Sequence, residues 1–148
     1  MKARGSEDNQ LELKVKAKLE NLAVIDDFVT DSMKQFGINK DETLQVQLAV
    51  NEACTNIIQY AYSGESEGLI MILCSISGND LFIEIRDWGK PFDPDSVPQP
   101  DIKSGLFERK EGGMGIFLMR QMMNDVRYVF RTGRYNALKM IKHIRRED

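Results

Sequence analysis

The chain has 148 residues, with 20 lysines and arginines against 23 aspartates and glutamates and a net charge of −3. That length supports one domain with a substantial core, and the balanced charge leaves no basic footprint for nucleic acid or another polyanion. The first ten residues are polar and carry both signs of charge, and no apolar run approaches a membrane span, so neither a signal peptide nor a membrane protein is expected.

In chain order, residues 1–9 read as a mobile polar lead. Leu11, Leu13, Val15 and Ala17 then alternate with Glu12, Lys14, Lys16 and Lys18. This is the pattern of a half-buried strand with a charged outer face, of the kind used at sheet edges. Asn21 can cap a helix whose inner face is Leu22, Ile25, Val29, Met33 and Phe36, and Gly37 ends it. Asn39 or Asp41 opens a longer helix that stops near Ser63-Gly64. From Gln45 to Tyr62 this helix holds neither Gly nor Pro, and Val46, Ala49, Val50, Ala53, Ile57, Tyr60 and Ala61 form one apolar stripe. Glu52 and Asn56 are four residues apart and stack on the flank of that stripe. Either they line the edge of a buried pocket, as a base and a ligand for a metal–phosphate group, or they are boundary polar residues.

Leu69 to Ile76 reads as a strand, Ser77-Gly78-Asn79-Asp80 as a hairpin turn, and Leu81 to Asp87 as the return strand. Leu81, Ile83 and Ile85 share one face of it, and parity places Asp87 on that same core side. A buried carboxylate needs a donor. A backbone amide would make Asp87 structural, whereas a ligand amine would make it a binding group. All four prolines lie between 91 and 100, and residues 93–112 form a long polar segment of the type that serves as a lid or a connector. Gly112-Gly113-Met114-Gly115 runs directly into a Met-rich helix, Ile116 to Asn124, and a glycine-rich helix start is a ready anion site. Val126–Arg131 and Ala137–Lys142 read as a closing hairpin turning at Gly133–Asn136. The order β-α-α-β-β-lid-α-β-β predicts an α/β (α+β) two-layer sandwich, with helices on one face of a mainly antiparallel, mixed sheet. Cys54 and Cys74 sit in apolar segments without CxxC spacing, which suits reduced core thiols of a cytoplasmic protein. The lone His143 has no partners for a Cys/His metal centre.

Three of these signals occur in a fixed order. Glu52-x-x-x-Asn56 on a helix, Asp87-x-Gly89 at a strand end and Gly113-x-Gly115 after a lid resemble the N, G1 and G2 boxes of the GHKL ATPases. Asn51-Glu52-Ala53-Cys54-Thr55-Asn56-Ile57-Ile58, Arg86-Asp87-Trp88-Gly89-Lys90-Pro91-Phe92-Asp93-Pro94 and Gly112-Gly113-Met114-Gly115-Ile116-Phe117-Leu118-Met119 are similar to the versions of the stand-alone anti-sigma factor serine kinases. The resemblance covers roughly residues 11 to 143, so residues 1–148 are expected to form a single GHKL-type ATP-binding kinase domain.

The resemblance implies a site. Asp87 would accept a hydrogen bond from the adenine amino group of ATP, and Gly89 would let the backbone approach the base. Asn56 would coordinate Mg²⁺ through its carbonyl oxygen. Glu52 would act as general base on a serine hydroxyl, and Gly113 and Gly115 would donate N–H groups to the phosphates. Lys103, Arg109 and Lys110 either add positive charge over the phosphates or are solvated loop charges. The implied partners are a STAS-domain antagonist as substrate and a sigma factor or analogous regulator, with a homodimer as a further expectation and no direct contact with nucleic acid or membrane. The alternative is a module that uses ATP only to set its shape and partner choice, without phosphoryl transfer. Three positions depart from the pattern. Pro91 replaces a second glycine, Tyr60 replaces a frequent histidine, and Asn136-Ala137 stands where a Gly-Thr pair often supports the adenine site.

Overall fold

The alternating segments pair into one sheet. The computed structural model describes residues 2–3, 10–63, 67–92, 115–130 and 134–145. Its strands are β1 (Lys2–Ala3), β2 (Gln10–Lys16), β3 (Leu69–Ser77), β4 (Asp80–Asp87), β5 (Asp125–Phe130) and β6 (Asn136–His143), in spatial order β1-β2-β3-β4-β6-β5. Every ladder among the described residues is antiparallel, which sharpens the expectation of a mainly antiparallel sheet. The helices are α1 (Leu22–Gln35), α2 (Lys40–Asn56) and α3 (Gly115–Met122). Together they make the two-layer α+β sandwich that the element order implies. One parity of β2, β3, β4 and β6 faces them: Leu11, Leu13, Ile72, Ile83, Ile85 and Met140 pack with Ile25, Phe28, Val29, Val46, Ala49 and Met119 in a single core. No helix among the described residues is long and apolar enough to cross a membrane.

Two local readings need correction. Lys2 pairs with Glu12 and Ala3 with Leu11, so β2 has a short neighbour on its outer side, which the polar sequence of residues 1–9 gave no reason to expect. Asn21 does not cap α1 with its side chain. A 3₁₀ turn, Leu19–Asn21, runs into the helix without a break, so Asn21 is already helical (φ −85°, ψ −1°), and its Nδ2 donates back to the Lys16 carbonyl at 2.9 Å. A cap needs an extended backbone to aim its oxygen at the first turn. The rest of residues 1–9, all of 93–112 with Lys103, Arg109 and Lys110, and Gly64, Gly113 and Gly133 lie outside the described residues.

Other helix ends follow the sequence. Gly37 takes φ 74°, its N–H reaches Lys34 O at 3.1 Å, and the N–H of Ile38 reaches Met33 O at 2.9 Å. These two bonds satisfy carbonyls that α1 would leave open. Asn39 is extended (ψ 170°) and caps α2: the N–H of Glu42 donates to Asn39 Oδ1 at 2.8 Å, and Asn39 Nδ2 returns a bond to Glu42 Oε1 at 3.3 Å. At the far end, the buried Lys142 of β6 donates from Nζ to the carbonyl of Met122, the last residue of α3, at 2.8 Å. A cation on helix-end carbonyls is favourable, and it fastens α3 to the sheet.

The long helix does not stay α-helical to its end. After Asn56 it widens into a π turn, Ile57–Ala61, closed by the N–H of Tyr62 on Ile57 O at 3.1 Å. Tyr62 then ties the turn to the sheet. Its hydroxyl donates to Leu69 O and accepts from the N–H of Trp88, both at 2.8 Å, joining the start of β3 to the exit of β4. Tyr62→Phe keeps the ring and removes both bonds. It is expected to cost about 1–2 kcal/mol in denaturant unfolding, and an unchanged unfolding midpoint would contradict this role.

Candidate functional site

Alternation in β4 carries Asp87 to the core side, as its sequence predicts: Leu81, Ile83, Ile85 and Asp87 are all buried. Asp87 is directly opposite Asn136 in the β4–β6 ladder. Its Oδ1 accepts two hydrogen bonds, from Gly89 N and from Asn136 Nδ2, each 2.9 Å long. Both bonds from described residues fall on Oδ1, and no described residue donates to Oδ2. The carboxylate is thus held through one oxygen by a backbone amide and a side-chain amide. Burial raises the Asp87 pKa above its ordinary value, and the donors from Asn136 and Gly89 work in the opposite direction.

Asp87 and Asn136 form one end of a narrow pocket whose remaining lining is Ile57, Phe92, Tyr128, Phe130, Ala137 and Leu138. The aromatic rings form a chain, with Phe92 5.7 Å from Tyr60 and 6.3 Å from Tyr128, and Tyr128 stacked on Phe130 at 6.2 Å. The lining, aromatic rings beside a carboxylate oxygen, has the chemistry to recognise a flat heterocycle with an amino group, but the pocket is closed to about the size of one water and would have to open to admit it. Beneath the pocket Cys54 is fully buried, and burial, then the Asp87 charge, hold its thiol far above the usual range. Cys74 is likewise buried, its pKa pushed up to about 12, so neither thiol is a nucleophile.

Gly89 is required here for a reason that its motif did not reveal. A Cβ at this position would lie 2.6 Å from Ala61 O and 2.9 Å from Ala61 Cβ, and the next residue, Lys90, donates its N–H to that same carbonyl at 2.8 Å. The exit of β4 therefore lies directly against the π turn that continues α2.

One turn back along α2, Glu52 and Asn56 are both buried, at 7% and 0% exposure, so they are not boundary residues. Among the described residues neither Oδ1 nor Nδ2 of Asn56 has a hydrogen-bond partner. A fully buried carboxamide without partners is costly, and it fits a ligand that supplies them, such as a hydrated cation or a phosphate. Gly115 is the first residue of α3, while Gly113 lies outside the described residues. The structure thus joins Asp87, Gly89 and Asn136 in one cluster and places Glu52 and Asn56 on the helix that leads into it. The sequence marked Asn136 only as a departure from a Gly-Thr pair; its bond to Asp87 was missed because it depends on β6 lying beside β4. A wider groove on the open sheet face includes Gln10, Leu73, Phe82, Lys139 and Ile141. Charges on that face pair among themselves, Arg86 with Glu84 at 2.6 Å and Arg127 with Asp125 at 3.0 Å, and none of the site residues lies there.

The fold falls in a known class: the family model for the histidine kinase-like ATPase domain matches residues 15–142. The serine-protein kinases RsbW of Bacillus thuringiensis (strain Al Hakam) and Bacillus anthracis are each 31% identical to this chain over 143 residues, covering 94% of it and 88% of their own length. The chain belongs to the histidine kinase-like ATPase family, on the branch of the RsbW serine-protein kinases. Among solved structures, the RsbU and RsbW domains of Rv1364c from Mycobacterium tuberculosis match with a TM-score of 0.68 at 12% identity, over 93% of this chain. The match spans 33% of that longer chain and shows the fold alone.

The raised Asp87 value has a consequence for stability. A carboxyl whose folded pKa is raised costs nothing while protonated in both states, below its ordinary 3.8. The cost grows as pH rises through that value and is complete above the folded one. Asp87→Asn keeps an oxygen for Gly89 and Asn136 but cannot ionise. Its melting temperature is expected to gain on the unmodified protein as pH rises from about 4, and a difference that stays constant from acid to neutral pH would contradict the burial cost.

Proposed function

We propose that the protein is a Mg-ATP-dependent serine-protein kinase and anti-sigma regulator, whose substrate is a STAS-type antagonist protein. The observation that carries this reading is the buried Asn56 carboxamide, which has no hydrogen-bond partner among the described residues, one helical turn from the buried Glu52 on the helix that enters the Asp87 pocket. In this reading Asp87 accepts from the adenine amino group. Asn56 offers its carbonyl oxygen to Mg²⁺, which when bound neutralises charge on the phosphates. Backbone amides at Gly113 and Gly115 donate to the phosphate oxygens, where the N-terminal dipole of α3 favours negative charge. Gly89 keeps the base edge close to the backbone.

Glu52 is assigned the chemical step. It draws the proton from a serine hydroxyl as that oxygen bonds to the γ-phosphorus and the bond to the departing ADP oxygen breaks. A module that only binds ATP has no need of a buried carboxylate at this position, which favours the enzyme. The remaining parts of the proposal are a sigma factor or analogous regulator as a second partner, a homodimer as the working unit and a cytoplasmic location. Relatives named serine-protein kinase support the activity.

Two substitutions separate the roles. Glu52→Gln is expected to lower transfer to a partner serine by about 10²- to 10⁴-fold while nucleotide binding survives, because only the base is lost. Asn56→Ala is expected to weaken Mg-dependent nucleotide binding itself. Paired calorimetry and labelled-phosphate transfer distinguish them. A fully active Glu52→Gln protein would remove the base assignment, and an unmodified protein that binds ATP but modifies no STAS partner would leave the binding module in its place.

A further inference from the structure

We propose that Asn136 is a positioning residue for nucleotide selection: its carboxamide aims the Asp87 carboxylate so that one oxygen is free to recognise the exocyclic amino group of the purine. This rests on reading the Asp87 pocket as the adenine site. At this position the Gly-Thr pair looked for in the sequence is absent, and Asn136 supplies a different device.

Asn136 Nδ2 donates to Asp87 Oδ1 at 2.9 Å and to Gly89 O at 3.1 Å. Both partners are acceptors, since Asp87 Oδ1 also receives the Gly89 N–H, so the nitrogen and not the oxygen of the amide must face them. Both amide hydrogens are thereby used. The bonds close a small ring linking the strand end, the Gly89 turn and β6, and they stop the carboxylate rotating. Asn136 is itself 8% exposed and lines the pocket. Neighbouring residues hold it in place: Tyr135 lies under the guanidinium of Arg86, 4.5 Å from Cζ to ring centroid, and 6.3 Å from the Trp88 ring. Arg86 and Trp88 flank Asp87, so the residues on either side of the carboxylate clamp the residue before Asn136.

The chemical consequence is selectivity. With Oδ1 saturated by two donors, Oδ2 can only gain from a ligand that donates. Adenine offers an amino group there; guanine offers a carbonyl oxygen, and purine without the amino group offers nothing. Remove the Asn136 donor and the carboxylate is free to turn or to take up a proton, and in either state the amino group loses its fixed acceptor.

The test compares ATP with purine riboside triphosphate, which lacks only the amino group, by calorimetry on the full chain. The unmodified protein is expected to prefer ATP by about 10- to 100-fold, the scale of one hydrogen bond to a charged group. Asn136→Ala, and the near-isosteric Asn136→Leu, which has no donor, are expected to reduce that preference to about threefold or less while binding of purine riboside triphosphate changes little. Asn136→Thr, which keeps one hydroxyl donor, is expected to fall between, and it carries the comparison if the other two do not fold. Equal weakening of both nucleotides, or an undiminished preference for ATP in the variants, would reduce Asn136 to a structural residue and overturn the inference. If the unmodified protein itself shows no preference for ATP, the adenine reading of the pocket fails, and the inference fails with it.

Discussion

The structure depends on holding a carboxyl group at the buried end of a central strand. Asp87 sits where β4 leaves the sheet, among core side chains, at 4% exposure. Burial opposes its ionisation. Two N–H donors offset part of that cost, and both converge on one oxygen. This asymmetry leaves the other oxygen without a donor among the described residues, which is what the proposed adenine contact requires. If the donors were spread over both oxygens, Asp87 would be a satisfied core residue with nothing left to offer.

Much of the surrounding architecture serves to bring those donors within reach. Gly89 can place its N–H on Asp87 only because it lacks a side chain where Ala61 passes. Ala61 passes there because the helix widens into a π turn after Asn56. Tyr62, directly beyond, fixes the same turn to both β3 and the Trp88 amide. The π turn therefore links the Asp87 cluster to the helix that carries Glu52 and Asn56. A regular helix of the same length would rotate Ala61 away, and the two halves of the site would lose their common support. Non-α turns inside helices are often found at functional sites for this reason: they set the direction of one or two side chains at a small cost in hydrogen bonding.

The sequence made part of this legible. Strict alternation in β4 placed Asp87 on the core side, and the 3.6-residue period placed Glu52 and Asn56 on one flank of α2, because both depend only on local backbone geometry. Gly37 and Asn39 were legible as helix boundaries for the same reason. The Asn136 contact was not, since it needs β6 beside β4, a pairing that crosses the whole 93–112 segment. Nor was the π turn, because nothing in Ile57-Ile58-Gln59-Tyr60-Ala61 departs from α-helical composition. Asn21 shows the opposite error: its residue type suits a cap, but the 3₁₀ turn before it had already fixed its backbone. Gly89 was legible as a needed glycine, though the neighbour that requires it, Ala61, was not.

The most direct test of this account is a crystal structure of the full chain with Mg²⁺ and a non-hydrolysable ATP analogue. The account predicts the base in the pocket of Ile57, Tyr128 and Phe130, its amino group within hydrogen-bond distance of Asp87 Oδ2, with Asn136 still on Oδ1. It also predicts that the Asn56 carboxamide gains the partners that it lacks among the described residues, from the metal, its waters or a phosphate. A base bound elsewhere, or an Asn56 side chain still without a partner beside an ordered nucleotide, would contradict it.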